Sequence, residues 1–225
     1  MTLLSVENVA KTFTMHLHGG SQLPVLRGLA LEVQPGECVV LGGPSGVGKS
    51  SILKMIYGNY QVDVGRVLVA GRDLAAAAPR EVLAARRDTV GYVSQFLHCV
   101  PRVGALPVVA EPLVERGVGR DEAHERAAAL LRRLGIPERL WSLPPATFSG
   151  GEQQRVNIAR GLIVGLPLLL LDEPTASLDV VNREIVVGLL KEQLADGVGM
   201  LAIFHDPDVR DALADRVVDV SAFAP

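Results

Sequence analysis

The chain is poor in cysteine and in long apolar runs, and has no large excess of charge of either sign. Cys38 and Cys99 are its two cysteines, far apart and with no Cys-x-x-Cys pair. That excludes a disulfide framework and a thiolate metal centre, and leaves two idle thiols suited to a reducing compartment. The longest apolar stretch, residues 162–171, is broken by Gly165 and Pro167 and ends at Asp172. A helix needs about 20 apolar residues to cross a bilayer, so no direct membrane insertion is expected; membrane association would come through a partner. Residues 1–10 carry no basic region followed by an apolar stretch, so no signal peptide and a cytoplasmic location are expected. With 22 Lys and Arg against 25 Asp and Glu, the net charge is −3. No basic surface for nucleic acid follows from that balance. Repeats and low-complexity segments are missing too. His16, His18, His98 and His124 fall at no ligand spacing and read as structural or solvated.

What is present is a core-forming sequence, 48% hydrophobic, sufficient for one large domain or a core with a small lobe. Residues 3–6, 12–18 and 29–33 are rich in strand formers, with a hairpin-like break at Gly19-Gly20-Ser21. Cys38-Val39-Val40-Leu41 reads as a strand buried on both faces. A helix over 49–57 follows, stopping at Gly58, and a further strand is expected at 67–70. The alanine run 75–78 suits a surface loop or a helix start. Ala127, Leu130, Leu131 and Leu134 keep helical spacing within 120–134, which Gly135 and Pro137 terminate. Beyond Pro144-Pro145 a helix is expected over 152–164. Strands at 168–171, 200–204 and 217–220 then alternate with helices at 180–194 and 208–214. That alternation predicts an α/β fold with a mostly parallel sheet.

Gly43-Pro44-Ser45-Gly46-Val47-Gly48-Lys49-Ser50 completes the pattern G-x-x-x-x-G-K-[ST], with Ser51 next, between a buried strand and a helix. Glycines let backbone N–H groups turn toward phosphate, and the helix start adds positive partial charge. Lys49 supplies a full charge for the outer phosphates, and the Ser50 hydroxyl can ligate Mg²⁺. Leu168-Leu169-Leu170-Leu171-Asp172-Glu173 puts two carboxylates at the end of an apolar strand. Ligands bind beyond such strand ends in open parallel sheets. Asp172 is therefore a candidate to hold Mg²⁺, and Glu173 to orient or deprotonate the attacking water. In Phe148-Ser149-Gly150-Gly151-Glu152, Ser149 stands at a helix start, which makes a second anion site.

That last stretch resembles the signature of ABC-type ATPases, usually L-S-G-G-Q. Phe148 and Glu152 depart from it, whereas Ser149, Gly150 and Gly151, the part that touches nucleotide, are intact. The resemblance covers nearly the whole chain. It implies an ABC ATPase nucleotide-binding domain with a RecA-like, mostly parallel core, an N-terminal antiparallel β subdomain and a small helical lobe. The whole of 1–225 is then one domain: 1–95 and 150–225 form the β subdomain and ATP-binding core, and about 96–149 form the lobe. The resemblance implies ATP and Mg²⁺ as ligands, with Gln95 as the Q-loop glutamine reaching Mg²⁺ and the attacking water. Asp179, in Ser177-Leu178-Asp179, looks like part of the D-loop that links two active sites. His205 looks like the switch histidine, and Phe13 like the aromatic that stacks on adenine. Ser149 would cap ATP held by a second subunit, in a homodimer or a heterodimer with a sister ABC ATPase.

Ser50 and Ser149 are too close in sequence for the long coiled-coil insertion of chromosome and repair ATPases. Two branches remain. Gly58-Asn59-Tyr60, 93–97, 137–141, 147–161 and Ile203-Phe204-His205-Asp206 are similar to the ATP-binding subunit of the phosphonate C–P lyase machinery (the PhnL type). That resemblance implies soluble C–P lyase subunits as partners, and assistance in making alpha-D-ribose 1-methylphosphonate 5-triphosphate. The alternative is the nucleotide-binding subunit of a membrane transporter of the lipoprotein-release or macrolide-export type.

Overall fold

A computed structural model describes residues 2–15, 19–97 and 101–225; Cys99, His16, His18 and His98 lie outside them. Five parallel strands form the centre, in the order β6-β7-β8-β3-β9. They are β3 (Cys38–Gly42), β6 (Val90–Val93), β7 (Leu168–Asp172), β8 (Gly199–Ile203) and β9 (Arg216–Asp219). A second, antiparallel sheet has the order β2-β1-β4-β5. It comprises β1 (Leu4–Met15), β2 (Ser21–Val33), β4 (Val64–Val69) and β5 (Arg72–Asp73). The mostly parallel sheet and the N-terminal antiparallel sheet are those that the sequence led one to expect.

The apolar runs are explained by a core on each face of the parallel sheet. Leu169 and Leu171 of β7 face one cluster; Leu168 and Leu170 face the other. Val39 and Leu41 likewise part from Cys38 and Val40, and Leu201 and Ile203 from Met200 and Ala202. Residues 168–171 are each at most 1% exposed. Burying a leucine side chain fully contributes roughly 1.5–3 kcal/mol, so polar alternation on these strands would be costly. The first cluster packs α3 (Ala105–Val114), α4 (Arg120–Arg133), α5 (Gly150–Leu162), α6 (Val180–Ala195) and α7 (Pro207–Leu213). The second packs α1 (Lys49–Ile56), α2 (Pro79–Asp88) and the antiparallel sheet. Burial pushes the Cys38 thiol up to about 12, with Asp215 and Glu37 adding to the effect; this cysteine is an inert part of the core.

Several local expectations change. The three separate N-terminal strands are two long ones. β1 runs through the polar break because its pairing with β2 shifts register between Val6 and Val9, Val9 and Lys11, and Lys11 and Thr12. Asn8, at φ 50, marks the first of these irregularities. Gly19 and Gly20, both at positive φ, form a turn directly before β2, and the Gly20 N–H bonds the Met15 carbonyl at 3.2 Å. α2 and α3 lacked a clear sequence pattern: α3 contains Pro112, and α2 buries only Ala85. α2 follows the alanine run, and the Glu81 carboxylate reaches back to the Ala78 N–H at 2.8 Å.

Candidate functional site

The loop after β3 feeds α1 through Gly48, at φ 105. Only glycine fits there: a Cβ would stand 2.8 Å from Val25 Cγ1 and in a backbone region unfavourable to L side chains. Gly43 and Gly46 also have positive φ, 114 and 83. Lys49, 8% exposed, folds back over the loop and donates to the carbonyls of Gly43 at 2.7 Å and Pro44 at 2.8 Å. The ammonium has three donors, so two are engaged and one is left for another acceptor.

Ser45, Gly46, Gly48, Lys49, Ser50, Ser51, Glu173 and His205 line one cavity of about 230 Å³. Residues from two distant stretches therefore meet the phosphate loop. β7 and β8 are adjacent and parallel, with Asp172 beside Ile203, which sets their C-terminal ends side by side. His205 Nε2 lies 2.7 Å from Glu173 Oε1. Glu173 is held at φ 53, a conformation uncommon for a non-glycine residue, while its N–H bonds the Ile203 carbonyl at 3.1 Å. Asp206, next to His205, caps α7 by accepting from the Asp208 N–H at 2.9 Å, and pairs with Arg183 of α6. Both contacts fix the loop that carries the histidine.

A neighbouring cavity of about 400 Å³ contains Ser50, Asp172, Gln95, Tyr92 and Ser94. Asp172 is 4% exposed, and its two oxygens have separate partners: Ser50 Oγ donates to Oδ1 and Tyr92 Oη to Oδ2, both at 3.0 Å. Burial, together with the Asp172 charge, raises the Tyr92 phenol far above its ordinary value. Among the described residues no group of three or more His, Cys, Asp or Glu could hold a metal. The Ser50–Asp172 oxygens still fit Mg²⁺, which takes one or two protein oxygens and fills its shell with water and phosphate. Gln95 is exposed and shares this cavity.

Other candidate residues lie apart from both cavities. Ser149 caps α5 in a reciprocal box: its Oγ donates to Glu152 Oε2 at 2.7 Å and its N–H to the same oxygen at 2.9 Å. These bonds hold the Glu152 carboxyl below its ordinary value. Gly150 has open space around it, whereas a Cβ on Gly151 would meet the Ser177 carbonyl at 3.0 Å. Asp179 is exposed and caps α6, accepting from the Asn182 N–H at 2.9 Å and its side-chain amide at 2.7 Å. Those bonds lower its pKa. Phe13 packs edge-on against Tyr60, centroids 5.1 Å apart, with Lys11 Nζ 5.3 Å from its ring.

The sequence did not mark Tyr92, Asn157 or Arg155 as part of this arrangement. Asn157 Nδ2 donates to the Ser94 carbonyl at 2.6 Å, pinning the chain beside Gln95. Arg155 donates to the Leu134 and Gly135 carbonyls and to Asn182 Oδ1, joining α4, α5 and α6. Their partners are distant in sequence, so no local pattern could reveal them.

The ABC transporter family model matches residues 26–176. The lipoprotein-releasing system ATP-binding protein LolD 2 of Caulobacter vibrioides is 42% identical over 97% of this chain and 92% of its own. The macrolide export ATP-binding/permease protein MacB of Marinobacter nauticus is 39% identical over 92% of this chain but 32% of its own. The chain thus spans about a third of the length of such macrolide-export relatives. The dimeric structure of MJ0796, a bacterial ABC transporter cassette, superposes with a TM-score of 0.89 at 31% identity, covering 96% of this chain and 94% of that one. A post-hydrolysis dimer of the same cassette, bound to ADP and Pi, gives 0.89 at 32% identity. These relatives carry transporter names, not those of C–P lyase subunits, and no helix among the described residues is long and apolar enough to cross a membrane. With the phosphate loop, the acidic strand end and the signature helix in one cassette fold, the chain belongs to the ABC transporter family.

Proposed function

We propose that the chain is the nucleotide-binding and ATP-hydrolysing subunit of a membrane transporter of the lipoprotein-release or macrolide-export type, working as a dimer around Mg²⁺-ATP. The observation that carries this reading is the convergence of Lys49, Ser50, Glu173 and His205 on one cavity, in a chain 42% identical to a lipoprotein-releasing system ATP-binding protein over 92% of that protein's length. The phosphonate expectation yields to it, because the relatives that support a partner are transporter proteins.

In this reading α1 directs its N–H groups at the phosphates, and Lys49 adds the free ammonium donor. Ser50 and Asp172 would hold Mg²⁺, which when bound neutralises phosphate charge. Gln95 lies beside them to orient water. Glu173 accepts a proton as the water oxygen bonds to the γ-phosphorus. The bond from that phosphorus to the bridging oxygen breaks, and ADP and phosphate leave. His205 aligns the Glu173 carboxylate, and Phe13 offers its ring to adenine. Ser149, Gly150 and Gly151 face the nucleotide of the second subunit, with Asp179 near the junction. The permease would dock where the lobe meets the core, in the groove that Leu83, Arg86 and Arg87 of α2 line together with Glu115 and Arg116 of the lobe.

Copurification of the tagged chain from its native host, in detergent, tests the assignment. Membrane-spanning permease subunits are the expected companions. Recovery with soluble C–P lyase subunits in their place would overturn it.

A further inference from the structure

We infer that Tyr92 is a positioning residue for the metal-binding carboxylate, fixing Asp172 so that one oxygen is reserved for Mg²⁺; this rests on the reading of Asp172 given above. Tyr92 sits on β6, the edge strand, opposite Leu170 of the neighbouring β7. That register brings its hydroxyl to Asp172 Oδ2 while Ser50 takes Oδ1, both at 3.0 Å. A carboxylate held by Ser50 alone could rotate about its Cβ–Cγ bond. With a donor on each oxygen its plane is set, and Oδ1 stays directed at the Ser50 hydroxyl. Outer partners of metal-binding carboxylates act in this way, by orienting the ligand before the ion arrives.

The tyrosine is itself braced. Its ring packs on Tyr57 with centroids 5.1 Å apart. The Arg86 guanidinium covers Tyr57 at 4.4 Å, and Arg86 donates to the Tyr57 carbonyl and to Asn59 Oδ1, each at 2.8 Å. Tyr92 also borders two cavities: its hydroxyl meets Asp172 in one, and it lines the groove between α2, α3 and α5 in the other. The brace comes from ring contacts, so Tyr92→Phe removes the oxygen and leaves the stack in place.

The test is a titration of fluorescent trinitrophenyl-ATP binding with Mg²⁺, and in EDTA, on the intact protein. For Tyr92→Phe the Mg²⁺ concentration giving half of the Mg²⁺-dependent change should rise by about 10-fold. Binding in EDTA and the thermal midpoint of the nucleotide-free protein should match the unmodified chain. A Mg²⁺ curve superimposing on the unmodified one overturns the inference, as does an equal loss of affinity with and without Mg²⁺. Asp172→Asn is the control. If it shifts the Mg²⁺ curve and Tyr92→Phe does not, the role of Tyr92 alone fails. If neither shifts it, the reading of Asp172 fails first.

Discussion

His205 Nε2 and Glu173 Oε1 are 2.7 Å apart, although the residues stand on loops after different strands. The imidazole and the carboxylate meet at the cavity beside the phosphate loop. Glu173→Gln keeps the shape and a hydrogen-bonding oxygen but cannot take a proton. Phosphate release should fall by at least ~10²-fold, the scale of a lost general base, while nucleotide binding persists. Steady-state phosphate assays alongside equilibrium binding check both halves. Turnover at the unmodified rate would leave Glu173 a structural carboxylate.

Lys49 is tethered by two loop carbonyls, so its charge is in place before any ligand arrives. Lys49→Ala should weaken ATP binding by about 10–100-fold, the equivalent of a charge-assisted hydrogen bond of ~1.5–3 kcal/mol. Isothermal titration with Mg²⁺-ATP measures it. Unchanged affinity would remove the loop from the binding site.

Ser149 lines neither cavity beside its own phosphate loop, and its hydroxyl is committed to Glu152. A Ser149→Arg chain should bind nucleotide as a monomer and fail to dimerise on Glu173→Gln-type trapping with ATP. Light scattering coupled to size exclusion reads this directly. Mixed with a Lys49→Ala chain, it should regain about one composite site per mixed dimer. Normal ATP-dependent dimerisation of Ser149→Arg alone would refute a shared site.

Arg155 offers a stability test away from the chemistry. It is 8% exposed and satisfies the Leu134 and Gly135 carbonyls while holding Asn182. Arg155→Ala strands these acceptors, and each buried unsatisfied group costs about 1–3 kcal/mol. Urea unfolding should show a loss of ~2–4 kcal/mol at unchanged slope. A loss below about 0.5 kcal/mol, within the range of an ordinary surface change, would contradict this bracing role.

The elements built from contiguous signals were legible in the sequence. The run Cys38 to Leu41 announced a strand buried on both faces, and Gly43 to Ser50 announced a loop, because phosphate binding needs particular residue types at adjacent positions. The 3.6-residue spacing of Ala127, Leu131 and Leu134 likewise fixed α4, since one helical face must meet the core. α3 was less visible: buried Val108, Val109 and Ala110 give it apolar character on more than one side, and Pro112 masks its period. β1 ran past its polar break because cross-strand pairing absorbed the extra residues as bulges.

Side-chain partnerships belonged to the tertiary structure alone. Nothing near Tyr92 in sequence points to Asp172, 80 positions away; the pairing exists because β6 lies beside β7 in a given register. Glu173 and His205 meet because β7 and β8 are neighbours. Phe13 was legible as an aromatic, but its edge-on contact with Tyr60 depends on how β1 passes the chain after α1. Local sequence determines which groups can bind phosphate; strand order and register decide which of them share a cavity, since hydrogen-bonding and carboxylate chemistry act only over a few ångströms.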